Sequence, residues 1–210
     1  MAALFLGVGT LCLADDEGFT PLFDGQSLKG WTVMGGKAEA WSVVDGRIVS
    51  KGDGGGWLGT TKSYENFVLR LEFRLTSGSN SGVYLRAPAD TSHISRTGME
   101  IQILDETHPR HKGIKDWQRT GAIYHVAPPK PGHNRPIGEW NTMEITANGP
   151  RVSIRLNGAL VVDDRIDQHP NLASEHPGLS RKSGLIGLQS HNDRVEFRNL
   201  QVKALPGPGA

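Results

Sequence analysis

The sequence predicts an all-β protein, a sandwich of two antiparallel sheets, and three observations carry that reading. First, "FVLRLEFRL" alternates strictly: Phe67, Leu69, Leu71, Phe73 and Leu75 share one face, while Val68, Arg70, Glu72 and Arg74 share the other. Second, turn pairs of the Asp-Gly and Asn-Gly type recur at hairpin spacing, at Asp45-Gly46 and Asn157-Gly158. Third, no helical period runs through any long segment, and 27 Gly and 12 Pro among 210 residues suit short strands joined by turns. That length supplies one domain with a sizeable core.

The chain opens with an apolar run from Ala2 to Ala14 that stops at Asp15 and Asp16. It is too short to span a bilayer, and its small residue at Ala14 fits a cleavage position, although a basic leading segment is missing. The expectation is a signal peptide over 1–14 and an exported protein, periplasmic or extracellular, with no transmembrane span. Cys12 is the only cysteine, so a chain that loses this leader contains none, and disulfide or thiol chemistry is excluded. A net charge of +1, with both signs mixed throughout, leaves no basic block for nucleic acid.

The elements follow in order. "FTPLFDGQSLKGWTV" sets Phe19, Leu22 and Phe23 before a turn at Asp24-Gly25, then Leu28 and Trp31. Trp41–Val44 and Arg47–Ser50 form a hairpin around Asp45-Gly46. The strand Phe67–Leu75 is followed by the turn "TSGSNS" and by "GVYLRA", in which Val83 and Leu85 are apolar and Tyr84 and Arg86 polar. "GMEIQILDE" comes next. From Glu106 to Glu139 periodicity disappears and His, Pro, Lys, Trp and Gly accumulate, and a loop of that length inside a compact domain is usually functional or disordered. Strands resume with "WNTMEITA", "RVSIRLN" and "ALVVDD", pass the loop "NLASEHPGLSRK", and close with "GLIGLQSH" and "RVEFRNLQVKAL". About a dozen strands result, within a domain over 18–205 followed by a flexible tail at 206–210.

"EIQILD" holds the candidate site. Side chains two apart share a face of a strand, so Glu100 and Gln102 oppose Met99, Ile101 and Ile103. A β-bulge near Leu104 would bring Asp105 onto the face of Glu100. A neighbouring hairpin strand would add Tyr84 and Arg86, together with Arg70, Glu72 and Arg74 if they share that face. For these last three, simple decoration of a water-facing sheet is the better reading. Glu100, Gln102 and Asp105 instead precede a long loop rich in His, Lys, Trp and Tyr, and a sheet covered by such a loop makes a cleft.

Among the eight histidines, "HPRH" has no metal-ligand spacing, so His108 and His111 are read as solvated. His191, at a strand end, is the better site candidate. Trp57 in "GGGWLGT" is either core or a platform for the C–H face of a sugar. "GDGGG" lacks the ending and context of a phosphate loop.

These segments, with "TGAIY", "GEWNTMEITANGPRVSIRLNG" and "SGLIGLQSHNDRVEFRNLQVK", resemble the 3-keto-disaccharide hydrolases, also described as 3-keto-glucoside 1,2-lyase/hydratase domains, from about Phe19 to Leu205. The resemblance implies a concanavalin A-like jelly roll of two curved antiparallel sheets. "EIQILD" looks like a variant of the Glu-x-Asp-x-Glu pattern of laminarinase-type enzymes with that fold, with Gln in the middle and one extra residue.

The substrates implied are oxidised (3-keto) glucosides or disaccharides. Their C3 ketone acidifies the C2 hydrogen, so a base can form an enolate, the C1 group can leave, and water can add to the 2-hydroxy-3-keto-glucal. On this reading Glu100 or Asp105 is the base and the other an acid or ligand-binding group. Arg86 holds the enolate oxygen, and Tyr124 or His191 donates the leaving-group proton. Gln102, Tyr84, Trp57 and Lys115 are substrate-binding candidates. No cofactor is required; a divalent metal held by Glu100 and Asp105 is an option that no ligand spacing establishes. The alternatives are a non-catalytic carbohydrate-binding module, since fold alone does not decide function, a conventional glycoside hydrolase using two carboxyls, and a purely structural sandwich.

Overall fold

A computed structural model describes residues 17–90 and 93–207. The expected signal peptide therefore lies outside the described residues, as do the last three residues of the tail. Among the described residues thirteen strands are formed. They are β1 (Thr20–Pro21), β2 (Trp31–Met34), β3 (Trp41–Val44), β4 (Arg47–Ser50), β5 (Trp57–Tyr64), β6 (Phe67–Leu75) and β7 (Asn80–Ala87). After a short helix α1 (Ile94–Thr97) come β8 (Met99–Leu104), β9 (Trp140–Asn148), β10 (Arg151–Leu156), β11 (Ala159–Arg165), β12 (Gly184–Gln189) and β13 (Val195–Ala204).

Every pair is antiparallel, and two sheets result. The larger runs β11-β10-β9-β6-β13-β4-β3, with β1 added beside β13; the smaller runs β2-β5-β12-β7-β8. The jelly-roll sandwich is the architecture expected. The predicted hairpin has the turn its sequence requires, with Asp45 at φ 46° and Gly46 at φ 73°, and Asn157-Gly158 repeats it at 51° and 85°. Two consecutive residues at positive φ match the right-handed twist of the flanking strands.

Alternation on β6 is strict: Phe67, Leu69, Leu71, Phe73 and Leu75 are buried, and the residues between are half-exposed. The apolar set meets Val83, Leu85, Ile101, Ile103, Ile186 and Leu188 from the small sheet in one core. On the opposite face Arg70 pairs with Glu144 at 2.8 Å and Arg198 with Glu72 at 2.7 Å, cross-strand pairs worth about 0–1 kcal/mol each. The water-facing reading of Arg70, Glu72 and Arg74 is thus the one the fold adopts.

Those residues do not share a surface with Glu100. β6 and β7 are joined only by four residues, yet they belong to different sheets, because the turn Thr76–Ser79 carries the chain across the sandwich. Ser79 closes it through its hydroxyl to the Thr76 carbonyl at 2.8 Å, while Thr76 N–H donates back to that hydroxyl at 3.1 Å. Among the described residues no helix is long and apolar enough to cross a membrane.

Candidate active site

β8 lies at the edge of the small sheet, and all six of its residues are buried. The cause is the long loop. Its segment from Gly121 to Tyr124 pairs with the open edge of β8: Gly121 N–H donates to Gln102 O at 2.9 Å, Gln102 N–H to Ala122 O at 3.0 Å and Tyr124 N–H to Glu100 O at 2.9 Å. An edge strand covered in this way exposes no free ladder groups. Farther along, Glu106 accepts from Thr120 N–H at 2.8 Å, Asn134 Nδ2 at 3.0 Å and Arg119 Nη1 at 2.9 Å, which ties the loop to the end of β8.

Between loop and sheet lies a cavity of about 270 Å³, into which Asn80, Glu100, Gln102, Tyr124, Gln189 and His191 face. A second hollow of about 290 Å³, lined by Trp57, Tyr84 and Ile94 among others, shares Ser95, Gln189 and His191 with it. The two form one polar cleft. The expected site residues Glu100, Gln102, Tyr124, His191 and Tyr84 are all brought to it.

Glu100 is 4 % exposed. Burial pushes its carboxyl up to about 8, and a hydrogen bond from Gln189 offsets part of that rise. With its amide nitrogen turned toward the surrounding acceptors, Gln102 donates to Oε1 of Glu100 and to the Ser81 carbonyl, both at 3.2 Å. Gln189 Nε2 also donates to Tyr84 Oη at 2.7 Å, leaving Gln189 Oε1 without a partner. Tyr84 and Tyr124 are held above the usual phenol range, by burial first and by the Glu100 charge second. The two phenols therefore keep their protons beside the carboxylate.

Several expectations need correction. No bulge occurs in β8: its register with β7 is unbroken from Asn80–Leu104 to Leu85–Met99, so Leu104, not Asp105, follows Gln102 on the cleft side. Asp105 is turned into the turn Thr76–Ser79 and the loop start. Its Oδ2 accepts from Gly78 N–H at 2.7 Å, and its Oδ1 from the Thr107 N–H and hydroxyl at 3.0 and 2.6 Å. It is a structural carboxylate, and the suggested metal pair of Glu100 and Asp105 is not assembled.

Arg86 is also elsewhere. The bulge falls here instead: pairing of β12 with β7 jumps between Leu185–Ala87 and Gly187–Tyr84, and Arg86 takes φ 49°. Its side chain leaves the cleft and donates to the main-chain carbonyls of Glu65 and Arg181 at 3.0 and 3.3 Å.

Trp57 is no open platform, being 2 % exposed. Gly59 and Gly187 are paired beside it, and a Cβ on either would come within 2.5 or 2.4 Å of its indole carbons, so the ring lies down on the sheet as part of the floor. Lys115 is exposed before a short 3-10 turn and does not line the cleft. His111 does line it, contrary to its reading as solvated, because its Nδ1 bonds the Asp105 carbonyl at 2.8 Å.

Sequence reasoning passed over Asn80, Gln118 and Gln189. Gln189 had a usable signal: in "GLIGLQ" it alternates with Leu185 and Gly187, opposite the core residues Ile186 and Leu188. Among the described residues no group of three or more His, Cys, Asp or Glu is placed to hold a metal ion.

Residues 18–203 match the family model described as the 3-keto-alpha-glucoside-1,2-lyase-like domain. The chain belongs to this family. A 3-keto-disaccharide hydrolase of Bacteroides thetaiotaomicron is 31 % identical over 232 residues, covering 91 % of this chain and 80 % of that protein. A solved structure from Parabacteroides distasonis, provisionally named a glycosyl hydrolase, superposes with a TM-score of 0.80 at 28 % identity, over 90 % of this chain and 95 % of that one. A carbohydrate-binding module from Bacillus subtilis shares the fold at 16 % identity, with a TM-score of 0.58 over 83 % of this chain and 96 % of that chain. The fold is therefore shared with a carbohydrate-binding module, and fold alone does not decide whether the cleft is catalytic.

Proposed function

We propose that this protein cleaves 3-keto-glycosides, oxidised disaccharides among them, by elimination across C1–C2 followed by hydration. The observation that carries the reading is that Glu100 is the single carboxylate lining the cavity among the described residues. A conventional glycosidase needs two carboxyls, about 5–5.5 Å apart for retention, whereas elimination next to a ketone needs one base and one proton donor. Membership of the family and the name of the Bacteroides relative support the same substrate class.

Glu100 takes the C2 proton, and the C2–H electron pair becomes the enolate of the C3 ketone. As that enolate collapses, the C1–O bond breaks, the leaving oxygen takes a proton from Tyr124 or His191, and 2-hydroxy-3-keto-glucal remains. Addition of water returns hydroxyl to C1 and a proton to C2, completing a net hydrolysis. A base whose pKa is raised by burial attacks a carbon acid more readily, provided some of it is ionised at the working pH. Gln102, Asn80 and Gln118 offer neutral donors and acceptors to sugar hydroxyls. The apolar run Ala2–Ala14 supports export, which the mass of the mature protein checks.

Proton NMR in deuterated water tests the reaction, with a 3-keto-glucoside as substrate and the unoxidised glucoside as control. Loss or exchange of the C2 proton with aglycone release from the keto substrate alone is expected. Cleavage of the control without exchange would identify a conventional glycosidase, and binding without turnover a carbohydrate-binding module.

A further inference from the structure

A separate cavity of about 530 Å³ lies where the β5–β6 turn, the β9–β10 turn and the segment before β12 meet. It shares no lining residue with the cleft of Glu100. Arg86 lines it and is itself 2 % exposed. Nε and Nη1 of Arg86 are used by main-chain carbonyls, while Nη2 is buried without a partner. No ion pair to Arg86 forms among the described residues; Glu65, the carboxylate that acts on it, does so from an exposed position.

A buried guanidinium with neither a counter-charge in contact nor a full set of acceptors is costly. The fold goes to some length to keep it there. Arg86 occupies the left-handed region at φ 49°, and Arg181 Nε donates to its carbonyl at 2.8 Å, which locks the strand to the loop. Arg181 and Lys182 also line the cavity, so three cations stand against the two carboxylates Glu65 and Asp167. A planar guanidinium whose Nη2 alone lacks an acceptor matches an oxyanion better than a neutral sugar.

We propose that this cavity is an oxyanion-binding site, taking the carboxylate, sulfate or phosphate group of a small ligand, with Arg86 as its buried anchor and Lys182 as a cation at its rim. The site is independent of the reaction assigned to Glu100, and its occupant stabilises the folded chain by mass action.

Thermal unfolding of the full chain in chloride buffer at constant ionic strength, titrated with sodium sulfate, sodium glucuronate or glucose, tests this. A saturable rise in Tm with sulfate or glucuronate and none with glucose is expected. A response to sulfate alone supports a free inorganic anion, and tighter binding of glucuronate an acidic sugar. Lys182→Ala, an exposed change, is expected to weaken binding by about fivefold or more, and Arg86→Met to abolish it. Because Arg86→Met also removes two ties to the main chain and can prevent folding, Lys182→Ala carries the test independently. A Tm response that does not saturate, that glucose reproduces, or that Lys182→Ala leaves unchanged would overturn the proposal.

Discussion

Gly82 makes room for Glu100: a Cβ at position 82 would lie 2.5 Å from Oε1 of Glu100 and 2.8 Å from its Cγ. The two residues face the same side of neighbouring strands, so the absent methyl group is what lets the carboxyl lie against the sheet. Gly82→Ala is expected to leave the strands paired, lower stability by about 1–3 kcal/mol and reduce kcat by roughly tenfold to a hundredfold, since small misplacements of a reacting group are costly. Steady-state kinetics with circular dichroism on the same sample check it. Full activity in the alanine variant would show that the carboxyl has freedom to move.

Glu100→Gln keeps the shape of the side chain and its place beside Gln102 and Gln189 but cannot accept a proton. Turnover of a 3-keto-glucoside is expected to fall by about 10²–10⁴-fold, with substrate binding measured by calorimetry retained. Near-normal turnover would remove Glu100 from the role of base.

The raised carboxyl also sets two opposite pH trends. As a base Glu100 must be ionised, so kcat/KM is expected to rise with pH through about 8 and then level off. Stability should move the other way. Below the ordinary value of 4.5 both folded and unfolded chains hold the proton, and between there and about 8 only the folded chain does, so this group's contribution is lost as pH rises across that window. Glu100→Gln removes the trend, and its Tm relative to wild type is expected to increase from pH 5 to pH 8. Parallel curves would show that Glu100 is not buried as a neutral acid.

Asp105 should behave in the reverse sense. Burial pushes its carboxyl up, but the Thr107 hydroxyl, the Gly78 and Thr107 N–H groups and His108 together hold it below the ordinary 3.8. The stability it supplies is present above 3.8 and is lost as pH falls through the lower folded value. Asp105→Asn is expected to cost about 1–3 kcal/mol at neutral pH, and the difference from wild type should shrink on acidification, as read by urea midpoints between pH 2 and pH 6. Loss of turnover with unchanged stability would instead place Asp105 in the chemistry.

The features readable in the sequence were those whose causes are local. Asp45-Gly46 and Asn157-Gly158 need only their own φ values to turn the chain, and β6 needs only its own alternation to choose a buried face. Glu100 and Gln102 followed for the same reason. Arg86 and Asp105 were misplaced because their directions depend on distant partners. The irregularity at Arg86 is set by its pairing with β12, about a hundred residues on, and Asp105 is claimed by a turn that crosses between sheets. Nothing in "EIQILD" records either event.

The position of β12 has a further consequence for how the protein comes into being. β12 sits at the middle of the small sheet, between β5 and β7, and supplies Gln189 to the cleft from near the end of the chain. During synthesis β5, β7 and β8 emerge with a gap at their centre, and the cleft cannot close until residues 184–189 thread into it. Such distant pairings place the fold among slow folders, on the millisecond-to-second scale. A nascent chain interrupted before that strand would carry Glu100 without Gln189 and display unpaired strand edges, the kind of surface that draws chaperones or aggregates.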